Sequence, residues 1–321
     1  MITVGLVGIG GMGGVHFNAY KNMEDVRVIA VADVRCDMAR EKVSDYGAKI
    51  YASVDELLAN EKPDIIDVCT PSYLHADIAV KALDAGIHVV CEKPMSLNTE
   101  DTKRIVEARD RSGKFFMTAH VVRFMKPYMY LKSIVDSGEL GKLVYIDMKR
   151  LSEIPRWSWD NWMQDLDRSG GTPIDLSIHD IDFLRFVFGE PKSFTSSYHK
   201  LENCNDYVAS TLEYDGFTAT VTGGWFNAHL TFRASYLAMF QSGTVELVGG
   251  KVYKCGKEIE LDLGEISENT GINLSGVDGY AGELRYFVDC VKTGTAPTVV
   301  TAESSEGSVA LVEKLLASAK N

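Results

Sequence analysis

Short apolar segments alternate with amphipathic segments over the first third of the chain. The short segments are rich in Val and Ile, which predicts buried β-strands, and the segments between them carry apolar residues at helical spacing. The clearest strands are 3–7, 26–32, 64–69, 88–91 and 114–118, and the clearest helices are 73–85 and 99–112. Alternation of this kind is typical of a parallel sheet with helices on both faces, so residues 1–122 are predicted to form a doubly wound α/β domain.

The pattern changes at about residue 123. A helical segment leads into strand-like segments that follow one another directly, and an Asp-Gly pair at 215–216 indicates a two-residue hairpin turn. The predicted strands are 143–151, 194–199, 207–214, 217–225, 231–240, 244–247 and 258–263, and the predicted helices are 127–136, 172–188 and 302–319. Residues 123–321 are therefore predicted to form an α+β domain with a large, mainly antiparallel open sheet. Because one face of that sheet needs a cover, we expect a homodimer or homotetramer formed through it.

Composition and charge narrow the class of protein. A chain of 321 residues with 45% hydrophobic and 24% charged residues is globular and long enough for two domains. Its formal net charge of -12 argues against nucleic acid and anionic membranes as partners. The apolar N-terminus is broken by six glycines, so it reads as neither a signal peptide nor a membrane span. Six scattered cysteines favour reduced thiols and a cytoplasmic protein, and the seven histidines show no metal-ligand spacing.

A glycine-rich loop follows the first predicted strand and opens a helix. Its glycines Gly8, Gly10, Gly11 and Gly13 allow a tight turn and a close backbone approach to a pyrophosphate, to which the helix N-terminus offers N–H groups. Asp33 ends the second strand, where an acid would hydrogen-bond the ribose 2′-OH of NAD and repel the 2′-phosphate of NADP. The pattern predicts a Rossmann dinucleotide-binding domain. A glycine-rich turn without a ligand is the alternative.

Two polar segments follow neighbouring buried strands. Thr70-Pro71 comes after the strand at 64–69, and Glu92-Lys93-Pro94 comes after the strand at 88–91. Ligands of open α/β sheets bind outside the carboxyl ends of the strands. Lys93 could there stabilise a developing alkoxide on a substrate, or it could be a solvated lysine paired with Glu92.

An acid and a histidine lie four residues apart in the predicted helix at 172–188. Asp175 and His179 would share one helical face, which suits a general base oriented by a carboxylate. The same residues have a structural interpretation. Thr172 would be the N-cap, Pro173 the first helical residue and Asp175 the acid of a capping box, with His179 satisfied by a backbone carbonyl.

Three of the four tryptophans lie within six residues, just before that helix. Trp157, Trp159 and Trp162 stand beside Asp160 and Asn161, and aromatic faces with polar neighbours suit a sugar or polyol ring. The alternative is that these rings pack a domain junction or a subunit contact.

Together these segments resemble the Gfo/Idh/MocA family of NAD(P)-dependent oxidoreductases, which includes inositol and other sugar dehydrogenases. The resemblance covers nearly the whole chain. Its positions are the loop 8–13, Thr70-Pro71 with His75, Glu92-Lys93-Pro94, Arg123-Phe124, the segment 170–179 and the closing segment 283–288. The sequence departs from the family at Ser177, where Gly is common, and at Thr172 and Pro173, where small apolar residues are common.

The resemblance implies that Lys93, Asp175 and His179 converge at the nicotinamide and that the Lys93–Pro94 bond is often cis. The residues expected to bind the cofactor are Gly8, Gly10, Gly11, Met12, Gly13, Asp33, Val34, Arg35, Thr70, Pro71, His75, Glu92 and Lys93. The residues expected to bind the substrate are Arg123, Trp157, Trp159 and Trp162. NAD is the expected cofactor, and NADP stays open because Arg35 could turn towards a phosphate. No metal is expected.

The predicted activity is hydride transfer between NAD(P) and a secondary hydroxyl or ketone of a sugar, an inositol-like polyol or a related carbohydrate. His179 would take the hydroxyl proton, Asp175 would orient His179, and Lys93 would stabilise the substrate oxygen. One alternative is a glycosidase that uses NAD by transient oxidation. Another is a regulator that binds NAD without catalysis.

Overall fold

The computed structural model of the protein describes residues 1–200, 206–261 and 277–319. These residues form two compact units. The first comprises Met1–Val121 and Tyr280–Glu306, and the second comprises the described parts of Val122–Ile266, Asn273–Gly279 and Gly307–Asn321. Among the described residues, no helix is long and apolar enough to cross a membrane.

A six-stranded parallel sheet forms the centre of the first unit. Its strands are β1 (Ile2–Val7), β2 (Val26–Ala32), β3 (Lys49–Tyr51), β4 (Ile65–Val68), β5 (His88–Glu92) and β6 (Phe116–Ala119). The helices between them are α1 (Gly11–Lys21), α2 (Cys36–Lys42), α3 (Val54–Asn60), α4 (His75–Asp84) and α5 (Thr99–Ser112). The strand order is β3-β2-β1-β4-β5-β6, so the chain reverses direction across the sheet between β1 and β4. Such a switch point is where this fold binds its ligands.

Burial and capping explain these elements. Every residue of β4 is buried, as expected for a strand covered on both faces. Helix α5 begins after Asn98, whose side chain accepts a hydrogen bond of 2.8 Å from the backbone N–H of Asp101. It ends at Gly113, whose φ of 65° is the left-handed conformation that favours glycine at a helix end.

An eight-stranded sheet forms the centre of the second unit. Its strands are β7 (Leu143–Glu153), β8 (Ser193–Lys200), β9 (Asp206–Glu213), β10 (Thr218–Phe226), β11 (Arg233–Phe240), β12 (Gly243–Val248), β13 (Lys251–Lys254) and β14 (Lys257–Ile259). The helices around it are α6 (Lys126–Ser137), α7 (Leu166–Ser169) and α8 (Ile178–Phe188), and the chain closes with α9 (Val277–Thr293) and α10 (Ala302–Ser318). The order is β14-β13-β12-β11-β7-β10-β9-β8, and all neighbours are antiparallel except β7 and β10.

One face of this sheet carries the core. Alternate residues of β9 are buried, and those between them are half-buried or exposed. On the covered face, Tyr128 of α6 packs edge-on against Phe183 of α8 and Tyr236 of β11, with ring centres 5.1 and 5.5 Å apart. Helices α6 and α8 therefore lie on the same side of the sheet.

The predicted fold class is confirmed, with the doubly wound parallel sheet first and the mainly antiparallel sheet second. The hairpin at the Asp-Gly pair is present, since the N–H of Tyr214 donates to the carbonyl of Phe217 at 3.0 Å and Gly216 has a φ of 88°. Strands β3 and β13 were not predicted, because each is too short to carry a clear alternation. Residues 262 and 263 of the last predicted strand lie outside the described residues.

The structure divides the chain differently from the predicted boundary. The first unit does not stop at residue 122, since Tyr280–Glu306 returns to it and includes most of α9. Glu283, Leu284, Phe287 and Val288 of this helix are fully buried. The closing segment of the chain thus completes the core of the first unit, which no local pattern could indicate.

Candidate functional site

The glycine loop joins β1 to α1 with little space around it. Gly8 has a φ of 86°, and a Cβ atom there would lie 2.7 Å from the carbonyl oxygen of Cys69. A Cβ atom at Gly13 would collide with the carbonyl of Gly8. Helix α1 starts at Gly11, and Gly10 before it gives no side-chain cap, so the first N–H groups of the helix have no capping side chain. The backbone N–H groups of the loop and of the helix start can therefore bind a ligand that carries an anionic group.

The carboxylate of Asp33 lies against this loop. One oxygen accepts a hydrogen bond of 3.0 Å from the backbone N–H of Ile9, and the other accepts from the backbone N–H of Arg35 at 2.9 Å and from its Nε at 3.3 Å. Val34 beside it is exposed. An acid held in this way beside the loop fits the ribose of an adenine dinucleotide. The loop and Asp33 together therefore fit NAD.

A lysine that the sequence pattern does not single out also reaches the loop. Lys42 Nζ donates to the carbonyl oxygens of Ile9 and Gly10 at 2.8 and 3.2 Å. Burial, together with the nearby charge of Arg35, lowers the pKa of Lys42. Lys42 and the loop line a pocket of about 290 Å³, whose lining residues are Ile9, Gly10, Gly11, Gly14, Phe17, Asn18 and Lys42. Lys42 lies at the end of α2, far from the loop in sequence, so no spacing rule could have found it.

His75, the histidine predicted to bind the cofactor, is buried between two loops of the first unit. His75 is 1% exposed, and its ring nitrogens lie 2.8 Å from the carbonyl oxygen of Pro94 and 2.9 Å from that of Thr70. The ring thus ties the loop after β4 to the loop after β5. The prediction of a cofactor contact is corrected here, because the ring has no free surface. The Lys93–Pro94 bond is cis, as the resemblance implied.

Glu92 and Lys93 have different surroundings. The side chain of Lys93 is half-buried, whereas Glu92 is 6% exposed. One oxygen of Glu92 accepts from the backbone N–H of Lys93 at 3.0 Å, and the other lies 3.0 Å from Nε2 of His16. Glu92 was predicted to bind the cofactor. Its carboxylate is instead engaged by contacts inside the unit.

In the second unit, the segment that carries Asp175 and His179 starts without the predicted cap. Thr172 has helical backbone angles, φ -59° and ψ -31°, and its side chain caps nothing. The predicted N-cap and capping box are therefore wrong. The backbone N–H of Thr172 donates instead to a carboxylate oxygen of Asp206 at 3.0 Å, which also accepts from the hydroxyl of Tyr198 at 3.1 Å. Asp206 is 2% exposed, and its burial raises its pKa.

The same segment contains one turn of π-helix. Pro173–Ser177 forms this turn, and α8 continues from it, so Asp175 lies in the π-helical turn and His179 at the start of α8. The turn packs on β7, β9 and β10. Asp175 is buried and His179 is half-buried. The two residues are separated by four positions along this continuous helical segment.

Ser177 has its own place on the sheet. It is 2% exposed, and a Cβ atom at Gly223 of β10 would collide with its hydroxyl. The glycine that the family commonly has at the helix is replaced by a serine here, and a glycine on the facing strand leaves room for it. The departure is thus accommodated within the core of the second unit.

Arg123 is a buried structural residue in this fold. It is 2% exposed, and its guanidinium forms two hydrogen bonds with the carboxylate of Asp182, of 2.8 and 2.7 Å. The hydroxyl of Ser308 donates to the same carboxylate at 2.7 Å. A bidentate pair of this kind fixes the guanidinium of Arg123 against Asp182 in the interior of the second unit. The prediction that Arg123 binds substrate is corrected accordingly.

The tryptophan segment divides into two parts. Trp157 and Trp159 are 59% and 43% exposed. Trp162, like Phe232, packs against a small buried cluster that consists of Ile154, Met163, Leu176 and Trp225. Trp162 therefore has a packing role, which was the alternative to a sugar contact, whereas Trp157 and Trp159 are exposed to solvent.

Two family models match the chain. Residues 2–120 match the model described as an oxidoreductase family with an NAD-binding Rossmann fold, and residues 128–249 match the model described as the GFO/IDH/MocA C-terminal domain. Over its whole length the fold is similar to the crystal structure of myo-inositol 2-dehydrogenase from Lactobacillus plantarum. The TM-score is 0.83, with 22% identity and coverage of 99% of this chain and 97% of that one.

Curated relatives match over part of their length. A myo-inositol 2-dehydrogenase of Thermotoga maritima is 30% identical over 59% of this chain and 55% of its own. A 2,7-anhydro-N-acetylneuraminate hydratase of Mediterraneibacter gnavus is 29% identical over 59% and 50%. A D-glucoside 3-dehydrogenase of Escherichia coli is 28% identical over 63% and 58%. The matched region thus spans about half the length of these relatives.

The matches to both domain models fall on the two sheets described above, the first on the parallel sheet with its glycine loop and the second on most of the antiparallel sheet. The chain is therefore a member of the Gfo/Idh/MocA family of oxidoreductases.

Proposed function

We propose that the protein is an NAD-dependent dehydrogenase that oxidises a secondary hydroxyl group of a polyol or sugar. The observation that carries the proposal is the Asp33 carboxylate held beside a glycine loop and an uncapped helix end. The names of two relatives, a myo-inositol 2-dehydrogenase and a D-glucoside 3-dehydrogenase, support the substrate class.

Three side chains carry the reaction in this proposal. His179 takes the proton of the substrate hydroxyl, Asp175 orients His179, and Lys93 stabilises the oxygen as it gains negative charge. The bound NAD supplies the hydride acceptor. Lys93 and His179 are both half-buried, which supports these roles because a ligand can reach a half-buried residue.

The exposed rings of Trp157 and Trp159 are the proposed substrate contacts. A polyol ring presents C–H faces that pack on aromatic rings and hydroxyls that need polar partners. Asp160 directly follows Trp159, and its carboxylate pairs with Arg168 at 3.0 Å. This pairing supports a fixed loop that presents both rings.

NAD is proposed over NADP because of the Asp33 carboxylate, which would repel a 2′-phosphate. Arg35 supports the same choice, because its Nε and its backbone N–H both contact Asp33. A guanidinium that is already hydrogen-bonded to this acid is less available to a phosphate.

The second candidate is a reaction without net redox, in which the substrate is oxidised and later reduced on the same NAD. The name of one relative, a hydratase, supports this second candidate, because hydration involves no net redox change. Accumulation of NADH separates the two candidates, since only the dehydrogenase releases it. Tight NAD binding without any turnover would instead support a non-catalytic regulator.

We also propose a homodimer or homotetramer through the half-buried face of the large sheet, which the helices of the described residues leave open. A cytoplasmic location is proposed as well. None of the five cysteines in the described residues forms a disulfide, as expected where thiols are kept reduced.

The test is a panel of polyols and aldoses, including myo-inositol and D-glucose, supplied with NAD or NADP and followed by the absorbance of the reduced nicotinamide. We expect NADH to accumulate with at least one substrate. In that assay Lys93→Ala and His179→Ala should each lower kcat at least about a hundredfold, the usual loss when an acid–base or charge-stabilising group is removed. Wild-type rates in either variant would contradict the assigned roles.

A further inference from the structure

A buried group of polar side chains lies beneath the glycine loop in the first unit. We call it the His16 cluster. It consists of His16 and Tyr20 on α1, Asp67 and Cys69 on and after β4, Cys91 and Glu92 on β5, and Glu283 on α9. His16, Asp67 and Glu283 are fully buried. The proposed reaction uses none of these side chains directly.

The contacts of the imidazole fix its charge. Nδ1 of His16 lies 2.8 Å from a carboxylate oxygen of Asp67, and Nε2 lies 3.0 Å from a carboxylate oxygen of Glu92. A neutral imidazole has one N–H and one lone pair, so one of the two contacts would place the lone pair against a carboxylate oxygen. Only the imidazolium offers N–H to both. The contact with Glu92 is bent away from hydrogen-bond geometry and acts as an ion pair.

The surrounding groups agree with this charge. Burial on its own lowers the pKa of His16, but the contacts with Asp67 and Cys69 outweigh it and hold the pKa well above its usual value. Burial raises the pKa of Glu92, yet the contact with His16 prevails and the pKa lies below its usual value. Burial raises the pKa values of the remaining titratable members that surround this pair, namely those of Tyr20, Cys69, Cys91 and Glu283.

Glu92 links this cluster to Lys93. Its oxygen that does not face His16 accepts the backbone N–H of Lys93 at 3.0 Å. The helix that carries His16 also begins at the glycine loop. A single imidazolium thus joins the helix behind the cofactor loop to the end of the strand from which Lys93 projects.

We propose that His16 is a positioning residue that, as a buried imidazolium, holds Glu92 and through it fixes the backbone of Lys93. The inference rests on the proposed function, because it takes Lys93 as the residue that meets the substrate oxygen. Loss of the positive charge would remove the counter-charge that lies 3.0 Å from the buried carboxylate of Glu92, and Glu92 would turn away or take up a proton.

The rival explanation is a metal ion. His16, Asp67 and Cys69 each offer a ligand atom within 4.8 Å of the others. The separation of 2.8 Å between Nδ1 and Asp67 is a hydrogen-bond distance, shorter than the roughly 3.3 Å between two ligand atoms on one tetrahedral zinc ion. One tightly bound metal ion per chain in the purified protein would overturn the proposal.

The first test reads the charge directly in the wild-type protein and needs no activity. Histidines labelled with ¹⁵N are followed by NMR at pH 8, and the His16 signals are assigned by their loss in His16→Gln. We expect both ring nitrogens of His16 to be protonated at this pH. A neutral tautomer of His16 would overturn the proposal.

The second test reads the link to Lys93. With the substrate found in the panel, His16→Gln and Glu92→Gln should each lower kcat more than tenfold while the KM for substrate changes less than threefold. The matched control is His88→Gln, which replaces a histidine at the opposite end of β5 and should keep wild-type kcat. Wild-type kcat in both cluster variants would overturn the proposal.

The two tests separate this inference from the proposed function. If wild-type protein reduces no NAD with any substrate, the dehydrogenase proposal fails, and the NMR experiment still decides the charge of His16. If His16→Gln does not fold, Glu92→Gln supplies the kinetic test and the wild-type spectrum, assigned by titration, supplies the charge.

Discussion

At the residue scale, what could be predicted depends on how far apart in sequence the partners lie. The glycine loop and Asp33 belong to one strand–helix–strand unit of nearly fixed length, so counting residues was enough to relate them. Lys42, Asp206 and His16 act through partners fixed by tertiary packing, and no spacing rule relates them. The same limit explains why His75 was taken for a cofactor contact, since its burial is a property of the folded unit.

Two neighbouring glycines of α1 provide a sharp residue-scale test. A Cβ atom at Gly13 would collide with the carbonyl of Gly8, whereas at Gly14 its nearest neighbour is Lys42 Nζ at 3.9 Å. Gly13→Ala should therefore abolish measurable NAD binding and destabilise the fold by about 1–3 kcal/mol, the cost of overpacking. Gly14→Ala should bind NAD normally and stabilise the helix by about 0.5–1 kcal/mol. NAD titration and urea unfolding measure both.

A normal NAD affinity in Gly13→Ala would contradict the close packing of α1 on the loop. Equal losses of NAD affinity and stability in both variants would also contradict it, since they would show that any added side chain disturbs α1.

At the element scale, the helix that carries Asp175 and His179 was predicted correctly, but the cap predicted at its start was wrong. Thr172, Pro173 and Asp175 have the composition of a cap, yet the backbone is already helical at Thr172 and continues as a π-helical turn. The orphan N–H of Thr172 is satisfied from β9 by Asp206. Local composition could not reveal this, because the acceptor comes from a distant strand.

Replacing Asp206 tests this anchor. Asp206→Ala removes the acceptor for the backbone N–H of Thr172 and for the hydroxyl of Tyr198, and should cost about 1–3 kcal/mol, the penalty for buried donors left unpaired. Asp206→Asn keeps an acceptor oxygen and should lose clearly less. Urea unfolding measures both variants, with Tyr198→Phe as the control that removes only the second donor. Equal stability of the Ala and Asn variants would contradict the anchor.

The start of β5 gives a pH-dependent prediction. Nδ1 of His88 accepts the backbone N–H of Phe115 at 2.9 Å, which requires an unprotonated nitrogen. Burial and the nearby charge of Lys114 lower its pKa to about 4. Because this folded-state pKa lies below the unfolded value of about 6.5, the stabilisation is present above pH 6.5 and is lost as the pH falls towards 4.

Between pH 7 and pH 5 the wild type should therefore lose about 1 kcal/mol more stability than His88→Gln, after allowance for the partial exposure of the ring. Unfolding in urea at the two pH values measures the difference. Identical pH dependence of the two proteins would contradict the assigned role of His88.

At the scale of the whole molecule, the order of the two sheets followed from the alternation of segments, because helices between strands require parallel pairing and short turns require antiparallel pairing. The return of α9 to the first unit could not be predicted. The apolar residues of this helix fit the core of either unit equally well by composition, and only packing assigns them. The parallel pairing of β7 with β10 inside the second sheet could not be predicted either, because only tertiary packing brings these two strands together.

The central claim is that hydride passes from a carbon of a polyol or sugar to NAD. Its most direct test is to incubate the protein with NAD and with myo-inositol or D-glucose carrying deuterium on every ring carbon, and to weigh the reduced cofactor by mass spectrometry. The account predicts NADH heavier by one deuterium with at least one substrate. Reduced cofactor without deuterium, or no reduced cofactor with any polyol or sugar tested, would contradict it.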